Sequence, residues 1–310
     1  MLKYTLAIVV VTVICSCESK ETRIQSFLLK GNEEIVKGDD EKALYYYTES
    51  LKLDSCFADA LNNIGTVHHK GHRYGEAIES YSNALNCNPK YYPARLHRAN
   101  SYYESGDFGS ALRDIDELVK KSPDSSEVYF LQGLVFIKLS DYQSSVTAFQ
   151  QALDHGYPNK LECRVNIATS KVFLKQFDEA KSELEACLKL DEKQPLIYNS
   201  LALIAIGKKD FNEAIKQANK GLELDQRQPY ILNNRGFAYM ELGKLDEART
   251  DINESIMLDP YNSWAYRNKG IIELKLKNFD EAERLLKKSK QMDPNTELVD
   301  EYLSQIPKKK

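Results

Sequence analysis

The feature that most constrains this chain is a small residue that returns every 34 positions: Ala43, Ala77, Ala111, Ser145, Ala180, Ala214, Ala248 and Ala282, with a single step of 35 between 145 and 180. Twelve residues before each lies a second small residue, Gly31, Gly65, Ala99, Gly133, Ala168, Ala202, Gly236 and Gly270. Two antiparallel helices joined by a short turn approach closely only where neither carries a bulky side chain, so both slots are contact points of a helix hairpin. A chain of 310 residues would ordinarily be read as two globular domains. An internal repeat replaces that reading with one elongated array of stacked hairpins.

The punctuation between the slots is helical. An apolar residue stands three positions before the second small slot, as Tyr74, Phe108, Tyr142, Phe177, Phe211, Leu245 and Phe279, with Asp40 the one departure. Asp107, Asp141, Asp178, Asp210, Asp246 and Asn278 are candidates to accept from the unpaired amides that open each second helix. Pro89, Pro123, Pro260 and Pro294 share one register at the repeat ends, where a proline stops one helix and begins the link to the next. Pro158 falls one residue late, in step with the single insertion.

In period and in both small positions the stretch 24–296 resembles the tetratricopeptide repeat family. The resemblance implies an all-α fold, a right-handed superhelical α-solenoid of eight repeats at 24–57, 58–91, 92–125, 126–159, 161–194, 195–228, 229–262 and 263–296. A capping helix and basic tail would follow at 297–310, carrying Leu298, Tyr302 and Leu303 on one face. The first-helix slot that is Trp in the family is Phe27, Leu61, Arg95, Tyr129, Arg164, Tyr198, Leu232 and Tyr266 here.

The N-terminus differs from the rest. Lys3 precedes an apolar run from Leu6 to Ile14 that is too short to span a bilayer, as in a signal peptide. Ile14-Cys15-Ser16-Cys17 resembles the bacterial lipobox, which implies removal of residues 1–16 and lipidation of Cys17; Cys15 would have Ile14 where a small residue is required. Acyl chains on Cys17 would anchor the protein through a tether at 17–23. Glu18, rather than Asp, after the cysteine implies the outer membrane, on either face. Simple secretion is the alternative.

Forty-two basic against 46 acidic side chains leave a net charge of -4, the opposite of a nucleic-acid footprint. No phosphate-binding glycine loop or nucleophile elbow is present, and neither an enzyme nor a cofactor is expected. Function is therefore sought on the concave surface that the family lines with its first helices. Asn63, Asn166, Asn234 and Asn268 share one inward register and resemble the asparagines by which some family members hold a peptide backbone. Two further inward registers turn apolar in repeats four to eight, with Leu203, Phe237, Met240 and Ile271 among them and Tyr230 and Trp264 beside them.

That strip is either a groove for a partner peptide or amphipathic helix, or core buried between neighbouring repeats, with self-association a third outcome. The expectation is a membrane-anchored scaffold or adaptor of the bacterial cell envelope. The alternatives are a structural subunit of an envelope assembly or secretion machine, and a metal-binding protein using His68 and His72 on one helix face. Cys163 and Cys187, at the start of one helix and the end of its antiparallel partner, could bridge or serve as small core residues.

Overall fold

The computed structural model describes residues 19–307. The proposed signal peptide 1–16, the lipobox with Cys17, and Lys308 to Lys310 lie outside the described residues. Among those described there are seventeen helices and no strand, the α-solenoid architecture of helix-turn-helix repeats. The chain forms two compact units, meeting at Leu118 and Val119.

The first unit holds α1 (Lys20–Lys37), α2 (Asp40–Leu53), α3 (Ala58–Lys70), α4 (Tyr74–Cys87), α5 (Tyr92–Ser105) and most of α6 (Phe108–Lys121). The second holds α7 (Ser126–Lys138), α8 (Tyr142–Asp154), α9 (Lys160–Phe173), α10 (Phe177–Leu190), α11 (Pro195–Gly207), α12 (Phe211–Leu224), α13 (Pro229–Glu241), α14 (Leu245–Leu258), α15 (Ser263–Lys275), α16 (Phe279–Met292) and the short α17 (Val299–Ser304). α1 starts four residues before the repeat register because Ser19 caps it, its Oγ accepting from the Thr22 amide at 3.0 Å.

The two small slots meet as the sequence demands. A Cβ added at Gly31 would stand 2.3 Å from the Tyr47 ring, at Gly65 2.6 Å from Tyr81, and at Gly133 2.8 Å from Phe149. At Gly236 and Gly270 it would strike Ile252 and Leu286. Each of these five glycines is thus the socket for a large side chain sixteen residues later. Those side chains are sealed, with Tyr47 and Tyr81 only 1% exposed and Phe149, Ile252 and Leu286 at 0%.

Each hairpin turns through one left-handed residue at a common register. Gly38, Gly106 and Gly243 fill it in three repeats, whereas His72, Ser140, Lys175, Lys209 and Lys277 adopt φ values of 57 to 64° in the other five. Non-glycine residues are strained there. The second helix then starts on a side-chain cap in several repeats: Asp107, Asp141 and Asp210 accept from the amides of Ser110, Ser144 and Glu213. Asp178 and Asp246 lie one residue inside their helices and so are not the caps their spacing suggests, while Asn278 stands at the N-cap of α16 but makes no side-chain capping bond, its side-chain amide donating to Glu273 Oε2.

After six of the eight repeats the link is an Asx turn; the link at 122–125 starts instead on Ser122, whose backbone carbonyl accepts from the Ser125 amide at 3.1 Å. The residue after the second helix, Asp54, Asn88, Asp191, Asp225, Asp259 or Asp293, is extended, and its Oδ1 accepts from the amide two residues on at 2.8 to 3.1 Å. The link at 155–159 is built otherwise, with Gly156 at φ 81° and Asn159 capping α9 through the Glu162 amide. This is the chain's one-residue insertion made physical.

Candidate peptide-binding face

In the first unit the inward asparagines form a continuous hydrogen-bonded line across three first helices. His97 Nδ1 stands 3.0 Å from Asn62 Oδ1, which only accepts, so the ring carries its proton on Nδ1. Asn62 donates to Asn63 Oδ1, Asn63 donates to Asn32 Oδ1 at 2.9 Å, and the Tyr47 hydroxyl donates to the same Asn32 oxygen at 2.8 Å. Burial holds the His97 imidazole below its ordinary pKa, and His69 adds to the shift.

In the second unit the corresponding residues divide into exposed and buried. Tyr230 is 47% exposed, and Asn234, at the next turn of α13, is half-buried and donates to Asn199 Oδ1 of α11 at 2.8 Å. Asn166, Leu203, Phe237 and Trp264 are also half-buried. Tyr230, Asn234 and Phe237 follow one another at helical spacing and so share a side of α13. The Arg267 guanidinium lies 4.5 Å from the Trp264 ring centre and 5.6 Å from that of Phe237, a cation held between two aromatic faces.

Arg267 is itself buried, at 6% exposure, and donates through Nε and Nη2 to Asn268 Oδ1 and through Nη1 to the Glu297 carbonyl. Burial pushes its pKa down to about 10.

Three of the expected groove residues are corrected. Asn268 is 0% exposed, and its amide is consumed by Arg267 and by Asn233 Oδ1 at 2.8 Å. Met240 and Ile271 are 1% exposed. They sit in one cluster with Ile272, Leu286 and Val299, against which Phe237, Tyr302, Leu303 and Ile306 also pack. Adjacent first helices and the C-terminal segment thus close the Met240 and Ile271 part of the apolar strip into core, while Phe237 stays half-buried at its edge. Leu203 similarly packs against the Val172–Ile197–Ile204 cluster while keeping part of its surface open.

The histidine reading fails on geometry. α3 ends at Lys70, so His72, in the left-handed turn, does not share a helix face with His68. His68 Nδ1 accepts from Arg73 Nε, and His72 Nδ1 faces the Tyr74 hydroxyl at 2.8 Å. Among the described residues no group of three or more His, Cys, Asp or Glu is arranged to hold a metal ion.

Cys163 and Cys187 are free and fully buried, the former with its thiol pushed up to about 12 by burial, so the bridge considered between them is absent. The disulfide is instead Cys56–Cys87, with Cα atoms 5.3 Å apart, joining the link before α3 to the end of α4.

Sequence reasoning also missed two paired salt bridges. Arg98 grips Asp114 through Nε and Nη2, both at 2.7 Å, and Arg235 grips Asp251 at 2.7 and 2.8 Å. The third arm of each arginine reaches the preceding repeat, at Ser82 Oγ and Asn219 Oδ1. An Arg and an Asp sixteen residues apart in two repeats was the available signal.

Comparison with known proteins agrees with this geometry. Family models of the tetratricopeptide repeat match residues 96–160, 161–194, 196–228, 229–262 and 265–296, more than half of the chain. Sperm-associated antigen 1 of Rattus norvegicus is 35% identical over 96 residues, 31% of this chain and 11% of that protein. Hsp70-Hsp90 organizing protein 3 of Arabidopsis thaliana is 25% identical over 122 residues, 39% of this chain and 22% of that one. The match therefore spans less than a quarter of either relative's length. The crystal structure of yeast Tom70 superposes with a TM-score of 0.60 at 18% identity, covering 94% of this chain and 65% of that one. The chain belongs to the tetratricopeptide repeat family of protein-interaction scaffolds.

Proposed function

We propose that this protein is a lipid-anchored scaffold of a bacterial cell envelope, fixed through Cys17 and holding a peptide or amphipathic segment of a partner protein against its first helices. The observation that carries the binding reading is the row Tyr230, Asn234 and Phe237 on α13 with Leu203 and Trp264 beside it. Aromatic and aliphatic surface is left partly open there, next to an amide whose oxygen is free to accept. Such a face suits a segment that offers apolar anchors and backbone N–H groups.

Export is supported by the resemblance of Ile14-Cys15-Ser16-Cys17 to a lipobox and by the Cys56–Cys87 disulfide, since such bonds persist in oxidising compartments. No described helix is long and apolar enough to cross a membrane, so attachment in this reading rests on the lipid. A photo-reactive residue at position 230, in cells, is expected to capture one envelope protein, and Phe237→Asp is expected to abolish that capture with helical content retained. An intact, anchored protein that captures nothing from position 230 refutes the binding face. Failure of the protein to enter the detergent phase, or to be labelled by a fatty-acid probe at Cys17, refutes the anchor.

A further inference from the structure

The N-terminal end face of the first repeat is chemically unlike the same face of later repeats. Register equates Lys30 with Arg98 and Arg235, and Tyr46 with Asp114 and Asp251. In repeats three and seven that arginine reaches back to the second helix of the preceding repeat, so this register looks toward whatever precedes its own repeat. Among the described residues only 19–23, the cap and first turn of α1, precede repeat one, and no helix stands before α1.

What stands there is a small aromatic group with Lys30 beside it, flanked by the ion pairs Lys37–Glu34 and Lys52–Glu49. Phe27 and Tyr46 stack with centroids 6.4 Å apart, Tyr45 packs edge-on to Tyr46 at 5.3 Å, and Lys30 Nζ lies 5.7 Å from the Phe27 ring centre. Tyr45 is 58% exposed. Lys20, Arg23 and Lys30 are exposed along one side of α1 and have no carboxylate partner among the described residues, while Lys37 continues the stripe but is bound by Glu34 at 2.8 Å.

We propose that this end face rests on an anionic phospholipid surface, so that the first repeat lies flat on the bilayer. The inference builds on the lipidation of Cys17 argued above. Cys17 is two residues from the helix cap Ser19, at most about 7 Å of chain. An acylated cysteine therefore holds the first turn of α1 at headgroup level. Aromatic rings amid lysine and arginine are the side chains that settle at that depth, and each cation near an anionic surface strengthens binding about fivefold.

The test uses the mature chain carrying Tyr46→Trp and Trp264→Phe, so that the sole indole reports from the end face, on vesicles of brominated phosphatidylcholine with or without phosphatidylglycerol. The acylated protein is expected to float with both vesicles. Its indole is expected to be quenched only when phosphatidylglycerol is present, and less so at high salt or after Lys20→Glu, Arg23→Glu and Lys30→Glu together.

Flotation without quenching on phosphatidylglycerol vesicles overturns the proposal while leaving the anchor intact. If the protein is not acylated, the Cys17→Ser chain still decides the question. Its partition onto phosphatidylglycerol vesicles must fall about fivefold for each cation neutralised, by Lys20→Gln, Arg23→Gln or Lys30→Gln. Partition indifferent to those changes, or dimerisation through this face in place of lipid binding, overturns it. Circular dichroism of every variant checks that the fold is retained.

Discussion

The Cys56–Cys87 bond closes a ring of sequence separation 31 around the whole of α3 and α4. Cutting it with Cys56→Ser and Cys87→Ser returns to the unfolded chain the loop-closure entropy that the ring had removed. For a ring of that size the loss is about 12 cal/mol/K, or about 3.7 kcal/mol at 25 °C. In a stacked array each repeat contacts only its neighbours, so the loss is local: it weakens the hairpin α3–α4 and the contacts that hairpin makes, and leaves α13–α14 unaffected. Native-state hydrogen exchange reads both regions in one molecule. Amides of α3 and α4 are expected to exchange roughly 500-fold faster in the double variant, the factor that 3.7 kcal/mol corresponds to, with those of α13 and α14 unchanged. Equal protection in both proteins would show that the ring constrains nothing. A uniform loss along the chain would show that the repeats do not respond locally.

Three further outcomes are expected. Asp251→Ala strands the Arg235 guanidinium, which shares only 22% of its side-chain surface with water, and should cost about 3–5 kcal/mol in denaturant unfolding; replacing both residues with leucine should restore most of it. Lys175→Gly, Lys209→Gly and Lys277→Gly, each at a left-handed turn residue, should stabilise by about 0.5–1 kcal/mol apiece in thermal unfolding, whereas alanine at the same sites should not.

The third concerns pH. His68, His69 and His97 are held below the ordinary imidazole value of about 6.5, chiefly by burial, so the unfolded first unit binds more protons than the folded one. The stability they confer is complete above about pH 6.5 and is lost as the pH falls from there toward their folded values. Exchange protection of α3 and α5 compared at pH 7.5 and 5 measures it, and His97→Asn should blunt the difference.

The hairpins were legible because their determinants are short-range and repeated. The socket at Gly65 and its occupant Tyr81 lie sixteen residues apart on two helices joined by one turn, and eight copies average away local noise. The lateral chemistry was not legible for a geometric reason. Met240 and Phe237 occupy neighbouring registers of the same helix side, and only the approach of α15 and of residues 299–306 makes one core and leaves the other half-open. Asn268 fails as a ligand residue for the same reason, because Asn233 and Arg267 reach it first. The disulfide followed a subtler rule. Advancing by nearly one period returns the chain to an adjacent repeat end, so cysteines 31 apart meet, whereas Cys163 and Cys187, on paired helices, belong to separate side-chain clusters.

The Asx turns between repeats bear on how such a chain grows. Six of these joints are closed by a side chain that lies within its own 34-residue unit and accepts from an amide two positions away. A segment copied by unequal recombination therefore arrives with its connector already shaped, and can be spliced between existing units without new mutations at the seam. The link at 155–159 has no such portability. Its geometry depends on an inserted residue and on Asn159 at the head of the next helix, so duplications that leave repeats four and five adjacent should be tolerated more readily than any that separate them.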